Sequence, residues 1–165
     1  MSEASVILAA QLGAWEVAVE FAPLGDRQAH RIVLQQDGQA QLWLESQEGD
    51  GSMNWPPSPP LQQLSLENQN GRDVALLVGM AGRSHWSLSV EALEDEIRFD
   101  AACRAHESPD WIGSRYAIRH PAAGLAVHAD TGTRVVTADD ELRIQPEAVA
   151  GSLIRWVYRV ALCDG

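Results

Sequence analysis

Apolar and polar positions alternate with a period of two along most of this chain. Trp15, Val17, Val19 and Phe21 alternate with Ala14, Glu16, Ala18 and Glu20, which sets large side chains on one face of a strand and acids on the other. Ile32 and Leu34 form a second run and Leu42 and Leu44 a third, separated by Gln36-Asp37-Gly38-Gln39. Asp-Gly between alternating runs predicts a hairpin, because both central residues of the tightest turn need positive φ. Asn70-Gly71 repeats the device between a strand at 61–66 and the apolar run 74–78. Trp86, Leu88 and Val90 alternate with Ser87, Ser89 and Glu91, and Glu94-Asp95 then turns the chain into Ile97, Phe99, Ala101 and Cys103. This third hairpin is predicted to be the longest.

Shorter strands are predicted at 114–119, 124–129, 133–137 and 141–145. A last strand at 153–162 sets Ile154, Trp156, Tyr158 and Val160 against Arg155, Val157 and Arg159, so Trp156, like Trp15, is expected in the core. Three stretches break the pattern. Ala4, Ile7, Leu8 and Leu12 have roughly helical spacing and end before Gly13, which predicts a short N-terminal helix. Pro146, residues 147–150 and Gly151 have the form of a helical turn before the last strand, with Pro near its start and Gly past its end. Residues 47–60 end in Trp55-Pro56-Pro57-Ser58-Pro59-Pro60 and are expected to form a stiff surface loop, since proline lacks the ladder donor. The spacing Pro56-x-x-Pro59 matches ligands of aromatic grooves, but no arginine flanks it closely, so a rigid loop of the domain itself is the preferred reading.

Many short strands with closely spaced turns predict an all-β fold, a single antiparallel β-barrel or alternatively a β-sandwich, and exclude a parallel α/β sheet. The 165 residues suit one β domain spanning 1–165, without an internal repeat or linker, because a chain of that size buries roughly 70% of its unfolded surface.

Composition narrows the chemistry. The net charge is −11, and all 12 basic residues are arginines. Without lysine there is no Schiff-base enzyme, no Walker phosphate loop and no Ser-Lys dyad. The acidic balance argues against a nucleic-acid partner. Glu3 stands where a signal peptide needs positive charge, and the apolar run 6–10 is too short to span a bilayer, so a cytoplasmic protein without membrane association is expected. Cys103 and Cys163 are too far apart for a Cys-x-x-Cys site and read as buried reduced thiols.

Three motifs fail on inspection. His106-Glu107 starts like a zinc-protease motif, but Pro109 breaks the helix and Asp110 replaces the second histidine. Asp50-Gly51-Ser52-Met53-Asn54 begins like a calcium loop, yet Leu61 occupies the position that needs a bidentate Glu. Gly82-Arg83-Ser84-His85-Trp86 has Trp86 where a nucleophile elbow needs glycine, and the side chains of Ser84 and His85 diverge on a strand. No metal or other cofactor is therefore expected, and the enzyme reading, a hydrolase or isomerase, ranks last.

The arginines are the candidate binding residues. Arg98 and Arg104 share a face of the third hairpin, Arg115 and Arg119 a face of the next strand, and Arg155 and Arg159 a face of the last. If those strands are neighbours, the six converge on a patch suited to an anion, since the guanidinium fork grips carboxylate or phosphate with two hydrogen bonds. The competing expectation is a set of cross-strand ion pairs with Glu91, Glu96 and Asp100.

A short N-terminal helix, Gly13-Ala14-Trp15 opening the first strand, successive hairpins and a helical turn before a last strand together resemble the layout of the lipocalin and wider calycin barrels. In that family a Gly-x-Trp on the first strand packs against an arginine near the C-terminus. Trp15 matches the tryptophan and Arg155 or Arg159 the arginine, whereas the family's Thr-Asp-Tyr loop motif is absent. The resemblance implies a barrel holding a small molecule in its mouth or interior. The leading expectation is thus a non-enzymatic binder of a small, anionic ligand; the alternative is a β-sandwich interaction module acting as a homodimer.

Overall fold

The computed structural model describes residues 6–164 and consists of strands and irregular connections. One sheet has seven strands, β1 (Val6–Leu12), β2 (Trp15–Leu24), β3 (Arg27–Gln36), β4 (Gln39–Ser46), β9 (Ser114–Ile118), β12 (Glu141–Pro146) and β11 (Thr133–Ala138), hydrogen-bonded in that order. The other has six, β10 (Leu125–Ala129), β13 (Leu153–Leu162), β8 (Ile97–Arg104), β7 (Ser84–Ala92), β6 (Arg72–Ala81) and β5 (Gln63–Gln69), again in that order. Every pairing is antiparallel. The sheets do not close on themselves; the architecture is sandwich-like, so the barrel expectation gives way to its alternative.

The inner faces follow the period-two pattern. Val17, Val19 and Phe21 of β2 meet Trp86, Leu88 and Val90 of β7, Phe99 of β8, and Trp156 and Tyr158 of β13 in one buried cluster. Phe99 and Tyr158 stack with ring centroids 4.8 Å apart. Trp156 is fully buried, but Trp15 is only half-buried. Trp15 opens β2 at the end of the sandwich, where its indole N–H finds the Ala123 carbonyl at 2.9 Å. Cys103 is buried as expected, whereas Cys163 is exposed beyond the end of β13.

Both predicted turns form: Asp37 and Gly38 have φ of 52° and 77°, and Asn70 and Gly71 of 55° and 81°. The third hairpin is not the longest. β2 and β3 pair over nine positions through the turn at Gly25-Asp26, against eight for β7 and β8. Neither predicted helical piece forms among the described residues. Val6–Leu12 is β1, paired along its length with β2; Leu8 and Leu12, which share a helix face at i and i+4, share a strand face equally well, and residues 3–5 lie outside the described part. Residues 147–152 are irregular, because Pro146 still pairs with Thr133 at the end of β12 and the Glu147 amide is taken by the Gly132 carbonyl at 2.8 Å.

The proline-rich segment is stiff but not superficial: Pro56, Ser58, Pro59, Pro60 and Leu61 are all buried. Burial is inexpensive there because proline brings no N–H that must find a partner. Polar atoms of the segment find partners on β3, on β9 and in the loop before β9, the Leu61 carbonyl accepting the Gln28 amide at 2.7 Å. Trp111 donates its indole N–H to the Pro57 carbonyl at 3.0 Å, and the Ser58 hydroxyl bridges the backbone N–H and carbonyl of Arg115, each at 3.1 Å. Trp55 packs edge-on against Trp86, with centroids 5.7 Å apart. The strap crosses β6 at Gly79, where a Cβ would stand 1.7 Å from the Pro60 carbonyl oxygen.

Candidate functional site

The six arginines do not converge on one patch. Arg115 and Arg119 belong to the seven-stranded sheet and its continuation; Arg98, Arg104, Arg155 and Arg159 project from the outer face of the six-stranded sheet on β8 and β13. Five have carboxylate partners. Arg155 grips Asp100 across the β8–β13 ladder through two nitrogens, Arg98 and Arg159 share Asp130 at 3.2 and 2.8 Å, Arg119 meets Glu45 at 2.9 Å, and Arg115 approaches Glu141 at 3.8 Å. Arg115 also lies over the Trp111 ring, 4.1 Å from its centroid. Arg98, Arg155 and Arg159 line one shallow depression, and in it each is matched by an acid. Of the six, Arg104 alone has no carboxylate partner among the described residues.

Arg104 borders a different feature, a trough of about 480 Å³ on the same outer face. Its shape follows from strand register. Met80, His85, Arg104 and Leu153 lie abreast on β6, β7, β8 and β13, and the adjacent row is Val78, Ser87, Ala102 and Arg155. Ser87 and Ala102 are short, so the floor is low between long neighbours. The rim is apolar where it is most open, with Val78, Met80 and Leu153 exposed by 49, 48 and 62%. The polar groups gather beside Arg104: His85 is its ladder partner, and the His106 ring, just beyond the end of β8, lies 6.3 Å from that of His85. Gln62 closes the β5 side by exchanging two hydrogen bonds with the Met80 backbone, at 2.7 and 3.0 Å. Alternation placed Arg104 correctly on an outward face; its freedom from an acidic partner depends on which strands lie beside β8, and no local pattern carries that.

A second polar group is sealed between the sheets, where no motif pointed. His30 of β3, Tyr116 of β9 and Tyr158 of β13 form a buried chain, His30 Nε2 to Tyr116 hydroxyl at 2.6 Å and that hydroxyl to Tyr158 at 2.7 Å. Trp156 donates to Ser114 beside them at 3.0 Å. Burial lowers the His30 pKa to about 4 and raises Tyr158 to about 12, with Tyr116 also raised. Glu48, at the start of the strap, is raised to about 7 by burial, against the opposing pull of the Ser46 hydroxyl and the Arg27 charge. Glu48 Oε1 and Arg27 Nη1 are both buried without a hydrogen-bond partner. This cluster holds the sheets together rather than opening to a ligand, since His30, Tyr116 and Tyr158 are all buried.

The motif residues lie as follows. Ser84 is buried and its hydroxyl accepts the His106 amide at 3.3 Å, while the neighbouring His85 is on the opposite face. Asp50 accepts the Ser52 amide and hydroxyl in a local turn. Among the described residues no three His, Cys, Asp or Glu side chains gather as a metal site would require, and no helix is long and apolar enough to cross a membrane. The chain matches no family model, no curated protein and no solved structure.

Proposed function

We propose that this protein is a non-enzymatic binder of a small molecule that carries a carboxylate or phosphate on an apolar body, held in the trough on the outer face of the six-stranded sheet. The observation that carries this reading is the contrast among the candidate arginines: five face an acid, and Arg104 faces the trough beside His85 and His106. A guanidinium free of a protein carboxylate keeps its paired donors for a ligand anion. Val78, Met80 and Leu153 supply apolar contact for the rest of the molecule. With a net charge of −11, the surface elsewhere repels anions, which favours their capture only where positive charge is uncompensated.

Calorimetric titration with short-chain fatty acids and small phosphate esters tests the reading on the parent, on Arg104→Ala and on Arg155→Ala. At least one anion is expected to bind the parent and Arg155→Ala equally and to lose tenfold or more with Arg104→Ala, a loss of about 1.4 kcal/mol. Absence of binding by every anion, or equal binding by Arg104→Ala, overturns it.

A further inference from the structure

The six-stranded sheet ends at β5, whose outer edge has no backbone partner among the described residues. At the opposite end, the connection from β10 to β11 ties the two sheets together, with the Val157 amide of β13 donating to the Thr133 hydroxyl of β11 at 3.1 Å. Sheet proteins blunt open edges with charged side chains, lysine above all, proline, bulges or very short strands. β5 has little of this: Gln63-Leu64-Ser65-Leu66-Glu67-Asn68-Gln69 runs seven residues in unbroken register with β6, without proline, and Glu67 is its one charge. Leu66 in its middle is 49% exposed.

We propose that β5 pairs antiparallel with β5 of a second copy of the chain, about a two-fold axis through Leu66, joining two six-stranded sheets into one continuous sheet. The strand is complementary to itself about that axis. Leu66 meets its own counterpart, Ser65 faces Glu67 as hydroxyl donor to carboxylate, Gln63 faces Gln69 as amide to amide, and Leu64 faces Asn68. No charge opposes a like charge across the ladder. Two copies that each carry −11 repel over most approaches, and this nearly neutral edge is a route along which they can close. The two edge strands of the other sheet offer less: on β1 Leu8 and Leu12 are already buried in its own core and the exposed Ala9 and Gln11 add little apolar area, and β11 is shorter and carries the basic Arg134. Pairing of β5 also sets Gln69 of the partner subunit beside Gln63, which lines the trough; the dimer does not depend on the trough being occupied.

A contact of two short strands is smaller than the roughly 1,600 Å² of a standard interface, so association is weak and concentration-dependent. Sedimentation equilibrium of the full chain, from micromolar toward millimolar concentration, is expected to show the parent and a Gln35→Lys control, at an exposed position on β3 of the other sheet, moving from monomer mass toward dimer. Leu66→Lys, which places two ammonium groups together at the axis, stays monomeric with an unchanged melting temperature. If Leu66→Lys melts early, Ser65→Lys, at another exposed position of the edge, replaces it. A parent that is monomeric throughout, or a folded edge-charge variant that dimerises like the parent, overturns the proposal.

Discussion

Replacing Glu48 by Gln should expose a pH dependence that the parent conceals. In the folded protein Glu48 holds its proton up to about pH 7, against a usual value of 4.5. The stability it contributes is therefore full below 4.5 and is lost as the pH rises toward 7. His30 behaves in the opposite sense. Its folded value is about 4, against a usual 6.5, so its contribution is full above 6.5 and is lost as the pH falls toward 4. Each slope is about 1.4 kcal/mol per pH unit, and between pH 4.5 and 6.5 they cancel. A glutamine amide does not titrate, so the Glu48→Gln variant should lose about 3 kcal/mol relative to the parent as the pH is lowered across those two units. Urea unfolding of both proteins at half-unit pH steps measures this, and contributions from other groups drop out of the difference. Parallel curves would mean that Glu48 is ionised when folded, its free oxygen having closed on the equally unpaired Nη1 of Arg27, and the reasoning would fail.

Gly79→Ala should cost about 3 kcal/mol, the upper range for overpacking, because the new methyl meets the Pro60 backbone rather than a side chain that can move aside; a melting temperature equal to the parent's would show that the strap is not seated on β6. The two thiols should differ sharply toward a disulfide reagent, Cys163 reacting at once and Cys103 only on unfolding, since Cys103 is buried and its pKa is raised to about 12. Two fast-reacting thiols in the native protein would contradict the placement of Cys103.

The strands and tight turns were readable because their causes are local. Asp37-Gly38 and Asn70-Gly71 adopt the positive φ values that their residue types tolerate best, and the alternation on β7, β8 and β13 assigns each side chain to the face where it is found. Sequence and structure part where one spacing serves two geometries, as with Leu8 and Leu12 of β1, or where composition specifies stiffness but not location. The prolines of 56–60 specify stiffness, and only the sheets packed over them make the segment buried.

The arginines mark where local information ends. An outward position on β8 or β13 follows from counting residues, but a partner comes from whichever strand or turn lies alongside. Asp130 reaches Arg98 and Arg159 from the turn after β10, and Glu45 reaches Arg119 from β4, 74 positions earlier in the chain. Likewise, His30, Tyr116 and Tyr158 lie on three strands far apart in sequence, and their shared hydrogen bonds exist because the two sheets close on each other. Period and turn chemistry therefore set the all-β class and the orientation of each side chain. Which charges are neutralised, which polar groups are sealed inside and which single arginine is left to the trough follow from strand order, because Coulombic and hydrogen-bond partners are chosen by distance in space.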